Sequence, residues 1–234
     1  MTAGSEVVYL NPPDLDERRK EAVRTLASAQ TPHSEVFQTS MGMVRKTSPA
    51  GPIVFSAPHE FEQMRDGRAK VAEQGTAEFA FGLAAVTGLA ACSTAGPQQG
   101  DPNWDFGHPY LGVVSGLVPP AGAIIDLHMM RPRGFEVCLG LGPDHEKSRW
   151  VWEPLLNELL AADVRVALNW PFGARGRSVI AQASAFNLVG VQVEMSFEIF
   201  NRDDAAQWCV LSALVRAAEA WKREHFGGLP PVEQ

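Results

Sequence analysis

Two apolar runs constrain most of what this chain can fold into. Ile53-Val54-Phe55-Ser56-Ala57-Pro58 and Ala123-Ile124-Ile125-Asp126-Leu127 are each flanked by glycine or proline, and each delivers a histidine, His59 and His128. Short apolar runs punctuated in this way read as central strands of an α/β sheet. Ligands of such sheets gather beyond the carboxyl ends of the strands. An acidic cluster, Glu60, Glu62, Asp66 and Glu73, follows the first histidine. Two strand-end imidazoles and a carboxylate are the donors of a three-ligand zinc site with an open position, the hydrolytic kind.

The remaining elements supply the layers around such a sheet. Residues 13–30 have helix-start chemistry, acids first and basic residues after, and predict an N-terminal helical cover within residues 1–33. Ser34 to Val44 alternates like an edge hairpin. A charged loop, Glu60–Lys70, leads into a helix expected near 73–90. Residues 93–111 are rich in Gly, Pro, Gln, Asp and Asn, and a loop of that length in a compact domain is usually functional. Strands are predicted at 122–128, 135–141, 164–169 and 189–195, with Arg131-Pro132-Arg133-Gly134 read as a hairpin between the first two. A helix is predicted over 148–161, and an amphipathic closing helix over 203–225 buries Trp208, Leu211, Val215 and Ala218. With no linker between self-contained patterns, the 234 residues predict a single three-layer α/β/α domain. Its central sheet is mixed and mainly parallel, and 53–200 form the catalytic core.

Composition narrows the function classes. The net charge of −7 argues against a nucleic-acid surface and against a basic membrane-binding face. No apolar run is long enough to span a bilayer, and Met1–Glu6 lacks the basic and apolar regions of a secretory signal. Cys92, Cys138 and Cys209 are far apart in apolar surroundings, as expected of buried thiols in a reducing compartment. The expectation is a cytoplasmic protein with no nucleic-acid or membrane partner. No phosphate-cradling glycine motif follows a strand, and no G-x-S-x-G elbow is present.

A lone histidine after a strand is commonly structural, so the neighbours matter. Asp126 lies two residues from His128 on the same strand face, placed to fix the imidazole tautomer as an acceptor behind it. Glu194 is a solitary carboxylate in the apolar segment Val189–Met195. A buried carboxylate is paired, bound to a cation, or raised in pKa, and each case marks a candidate site. Candidate substrate-binding groups are Arg175, Arg177, Arg131, Asn103 and His108, with Arg65 and Arg133 as further cations. Arginine suits bidentate carboxylate recognition. Arg175 and Arg177 rank first because a glycine-rich loop can close over a ligand. His108, between glycine and proline, would either polarise a carbonyl or pack the loop.

Four short blocks, in order over residues 53–200, resemble the N-formylglutamate amidohydrolase family, of the same superfamily as zinc carboxypeptidases and aspartoacylases. They are Ser56-Ala57-Pro58-His59, Asp126-Leu127-His128, Asn169-Trp170-Pro171-Phe172-Gly173 and Gln192-Val193-Glu194. The resemblance implies one zinc per chain, held by His59, His128 and a carboxylate, with Glu194 as the general base. Glu62 has the H-x-x-E spacing of the carboxypeptidase branch. Glu73, before Thr76 at a helix start, is similar to the amidohydrolase branch and is preferred because helix starts are better fixed than charged loops. The implied reaction is cleavage of an N-formyl or N-acyl amino acid, or a related small amide bearing a carboxylate. The family's Gly-Gly is here Gly173-Ala174-Arg175-Gly176, a departure that bears on the substrate more than on the chemistry. Two alternatives stay open: a metallopeptidase for a small peptide or cell-wall fragment, and a binding protein whose metal site has decayed.

Overall fold

The computed structural model describes residues 32–201 and 204–226, and the helix expected over 13–30 lies outside them. An eight-stranded sheet runs in the order β1 (Ser34–Gln38), β2 (Met43–Thr47), β6 (Ala90–Thr94), β3 (Ile53–Ala57), β7 (Ala123–Met130), β10 (Val189–Ser196), β8 (Val137–Gly140), β9 (Val166–Leu168). The four central strands β6, β3, β7 and β10 are parallel, as are β8 and β9. β1, β2 and β8 make the antiparallel pairings of this mainly parallel mixed sheet. A separate two-stranded hairpin, β4 (Gln63–Arg65) and β5 (Arg68–Lys70), stands apart from it. The helices are α1 (Thr76–Thr87), α2 (Pro109–Ser115), α3 (Arg149–Ala161), α4 (Val179–Ala183), α5 (Phe197–Asn201) and α6 (Asp204–Phe226).

Strand alternation sorts the central residues into two faces. Odd-numbered residues of β3, β7 and β10 (Ile53, Phe55, Ala57; Ala123, Ile125, Leu127; Val191, Val193, Met195) pack beneath α1, α3 and α6. Trp221 of α6 is fully buried there and donates its indole N–H to Val151 O at 2.9 Å. The opposite face changes character along each strand. Val54, Ile124 and Gly190 lie under the short helices α2 and α4, whereas Ser56, Asp126, His128, Gln192 and Glu194 are buried and polar. Gly190 lets α4 settle onto the sheet, because a Cβ there would lie 2.7 Å from Ile180 Cδ1. The apolar runs thus carry one fully apolar face and one that turns polar at the carboxyl edge.

Five expectations are corrected. β7 and β8 do not form the hairpin read at 131–134, since β10 lies between them and pairs with both. β7 continues past His128 to Met130. The segment read as one polar loop over 93–111 begins inside β6 and ends in α2, and the helix read over 73–90 spans only Thr76–Thr87. β6 was illegible because Ala90-Ala91-Cys92-Ser93-Thr94 has no Val, Ile or aromatic residue, and Thr94 alone is β-branched. The charged loop Glu60–Lys70 contains the β4–β5 hairpin, turned by Asp66 and Gly67 at positive φ.

Candidate active site

His59 lies two residues past the end of β3, and its backbone explains how a residue fourteen positions later joins it. The Glu73 N–H donates to His59 O at 2.7 Å, closing the excursion that contains the β4–β5 hairpin. Glu60 then caps α1, its carboxylate accepting from the Gly75 and Ala77 N–H groups and from Thr76 Oγ1. A carboxylate at a helix N-terminus satisfies orphan donors and favours the dipole. Strand end and helix start are stitched together, and Glu73 is held in the stitch.

His59, Glu73 and His128 converge: one ligand atom from each lies within 4.8 Å of the others. Glu73 Oε1 is 3.0 Å from His59 Nδ1, and its Oε2 is 3.0 Å from His128 Nδ1. Glu73 Oε2 also accepts the Met129 N–H at 3.1 Å. The other nitrogen of each imidazole rests on an aspartate: His59 Nε2 lies 2.9 Å from Asp101 Oδ1, and His128 Nε2 lies 2.9 Å from Asp126 Oδ2. Such carboxylates fix the tautomer and raise the basicity of a ligating imidazole. Asp126 is held in turn by Ser56 Oγ at 2.8 Å, beside the buried hydroxyl of Tyr110. Asp101 is gripped by Arg65, whose Nε lies 2.8 Å from Oδ2.

The electrostatics follow from burial and charge. Burial alone would raise Glu73, but the charges and hydrogen bonds of His59 and His128 outweigh it and hold the carboxylate well below its ordinary value. Burial opposes protonation of His128, yet Asp126 and Glu73 raise it well above the usual histidine value. Asp101 is lowered far below the carboxylate range: burial works against this, and His59, Arg65 and the Asn103 N–H overcome it. Glu194 behaves oppositely. Burial pushes it up and Glu73 adds to the rise, while His128 only partly opposes it. Glu194 sits directly across from His128 in the parallel register of β10 and β7, with Gln192 donating to its carboxylate.

The other sequence candidates divide. Glu62 is exposed and outside the convergent group, its main-chain carbonyl accepting from the Gln98 N–H at 2.9 Å. Asn103 Nδ2 lies 2.9 Å from His128 Nε2, and its Oδ1 accepts the Val179 N–H, tying the polar loop to α4. Arg131, Arg175 and Arg177 line a cavity of about 890 Å³ whose floor includes His59, Glu73, His128 and Glu194. His108 is buried and does not line that cavity. Its Nδ1 caps α2 by accepting the Tyr110 N–H at 3.2 Å, which matches the packing alternative. Arg65 also lines the cavity, but its guanidinium is committed to Asp101.

Sequence reasoning missed Asp101, Lys70 and the Ser56–Tyr110 support. Asp101 had a signal: Gly100-Asp101-Pro102-Asn103 has Asx-turn chemistry, and the Asn103 N–H does donate to Asp101 Oδ1 at 2.8 Å. The loop carrying Arg175 and Arg177 is pinned by Asn169, whose Oδ1 accepts the Leu141 N–H at 2.9 Å. Gly140 permits that contact, because a Cβ there would lie 2.9 Å from Ala174 N and 3.0 Å from Phe172 O.

Two expected results arise here. Glu73→Gln should weaken metal affinity steeply while Glu62→Gln leaves it near wild type, as read by chelator competition. A loss confined to the Glu62 variant would show that the H-x-x-E spacing governs the site. Asp101→Asn should lower metal affinity by about ten- to a hundredfold, the usual cost of removing a ligand's supporting carboxylate. Wild-type affinity in that variant would mean that Asp101 only packs the loop.

No family model and no curated protein matches this chain. Solved structures share its fold. An N-formylglutamate amidohydrolase from Ralstonia eutropha JMP134 is 16% identical over 83% of this chain and 100% of its own, with a TM-score of 0.56. A bacteriophage poly-γ-glutamate hydrolase is 14% identical over 89% of this chain and 96% of its own, at 0.53. A metallo-carboxypeptidase from Burkholderia cenocepacia is 11% identical over 90% of this chain and 70% of its own, at 0.50. The fold is therefore that of the group to which the sequence blocks pointed.

Proposed function

We propose that the protein is a zinc-dependent amidohydrolase for a small amide bearing a carboxylate, an N-formyl or N-acyl amino acid being the model substrate. The observation that carries this reading is the convergence of His59 Nδ1, Glu73 and His128 Nδ1, each imidazole backed by an aspartate, on the floor of an open cavity. Two imidazoles and a carboxylate fit zinc with one position open, His128 giving up its proton as the metal binds. The site already draws a cation, since the Lys70 ammonium touches two of the three donors. Zinc bound there would supply Lewis acidity, polarising a carbonyl and acidifying water.

The chain's own residues would do the rest. Glu194, raised by burial, is suited to take a proton from the attacking water and return it to the departing amine. Asp101 and Asp126 keep both imidazoles turned with Nδ1 toward the reaction. Six cationic side chains, Arg65, Lys70, Arg131, Arg133, Arg175 and Arg177, line the cavity against two carboxylates, Glu73 and Glu194, in a chain whose net charge is −7. That local reversal of sign favours an anionic substrate, and arginine is the residue for holding its carboxylate. The amidohydrolase and carboxypeptidase among the fold neighbours act on related bonds by their names. Among the described residues no helix is long and apolar enough to cross a membrane.

The test is turnover of a panel of N-formyl and N-acyl amino acids, each as free acid and as carboxamide, before and after chelation. Free acids should be cleaved, carboxamides poorly, and chelated enzyme not at all. The size of the cavity keeps a second reading alive, an acidic oligopeptide substrate, and preference for such peptides over every acyl amino acid would establish it. Metal-bound protein that cleaves nothing in either panel would favour a binding role.

A further inference from the structure

We propose that Lys70 is a tethered cation that competes with zinc for the His59–Glu73 side of the ligand set, so that loading exchanges one cation for another. The proposal rests on the metal-centre reading above. Lys70 closes β5, and its Nζ lies 2.6 Å from Glu73 Oε1 and 2.7 Å from His59 Nδ1. Those two acceptors are themselves 3.0 Å apart.

The tautomer explains why a cation belongs between them. An ammonium can only donate, so the Lys70 contact makes His59 Nδ1 an acceptor and leaves the ring proton on Nε2, facing Asp101 Oδ1 at 2.9 Å. His59 Nδ1 is then a lone pair facing a carboxylate oxygen, and neither can donate to the other. An ammonium has donors for both. Zinc needs the same tautomer and the same two atoms. The arrangement that binds the metal is therefore the arrangement that binds Lys70.

The lysine is free to leave. Its side chain is 24% exposed, and the residue lines the site cavity as well as a second one of about 900 Å³ that Glu73 also lines. A displaced ammonium keeps an aqueous position among the cations that face the substrate. Competition of this kind weakens apparent affinity by the fraction of molecules in which the site is open.

The experiment compares Zn²⁺ affinity, by chelator competition, for wild type, Lys70→Ala and Arg133→Gln. Arg133 lines the same cavity but packs over the Phe172 ring, so its variant controls for charge removal alone. Lys70→Ala should bind zinc about tenfold more tightly or better, as expected if the site is open in about one molecule in ten, and Arg133→Gln should shift far less. Reductive methylation of Lys70, read by mass spectrometry, should become faster when zinc is added to wild type. Equal affinities for wild type and Lys70→Ala, an equal gain in the Arg133 control, or a Lys70 that becomes less reactive with zinc would each overturn the proposal alone. Failure of both wild type and Lys70→Ala to bind zinc would overturn the metal-centre reading and the proposal with it.

Discussion

His59→Ala and His128→Ala should each lose stoichiometric zinc and all measurable amide hydrolysis, but they should differ in what happens to the fold. Removing His59 leaves Asp101 buried, with Arg65 still on its other oxygen, so the charge keeps a partner. Removing His128 leaves Asp126 fully buried with the Ser56 hydroxyl as its main remaining support. Breaking one side of a buried charged pair costs about 3–5 kcal/mol. His128→Ala should therefore melt well below His59→Ala. The double variant Asp126→Asn/His128→Ala should recover much of the difference, since the stranded charge is gone. Metal analysis and thermal denaturation check the two halves separately. Full zinc occupancy in either single variant would remove that histidine from the ligand set, and equal melting of the two would contradict the charge argument.

Glu194→Gln should keep its zinc and lose turnover by about a hundred- to ten-thousandfold, the usual contribution of a general base. The carboxylate lies outside the convergent ligand group, yet it stands on β10 directly opposite His128 of β7 and lines the same cavity. Glutamine keeps the shape and the neighbour Gln192 but cannot accept the proton. The measurement is kcat on the best panel substrate at matched metal content. Near-wild-type turnover would place the base elsewhere. Loss of metal along with activity would make Glu194 a ligand instead.

Much of this site was legible because strand position and strand alternation are both written in the chain. The two runs ending near His59 and His128 fix a sheet edge, and Asp126 shares a face with His128 by period alone. Glu194 stands out as the single acid of its strand. Glu73 could be ranked above Glu62 from its place before a helix, although nothing in the spacing shows that its N–H bonds back to His59. Lys70 was not legible, and at Asp101 only the turn was, not its reach to His59. Each reaches its partner across a chain reversal, through a compact turn and through a short hairpin, whose closure depends on tertiary contacts. The strand order failed at β8 for a similar reason. Arg131–Gly134 has turn chemistry, but pairing is decided by which strand fills the gap, and β10, which begins only at Val189, fills it.

The central claim is most directly tested by a crystal structure of the zinc-loaded protein, with anomalous scattering recorded on both sides of the zinc absorption edge. The account predicts one ion per chain, within about 2.0–2.2 Å of His59 Nδ1, His128 Nδ1 and a Glu73 oxygen, with Asp101 and Asp126 still behind the imidazoles and Lys70 turned into the cavity. An ion held through Glu62, or an empty site with the Lys70 ammonium still seated on Glu73 at saturating zinc, would contradict it.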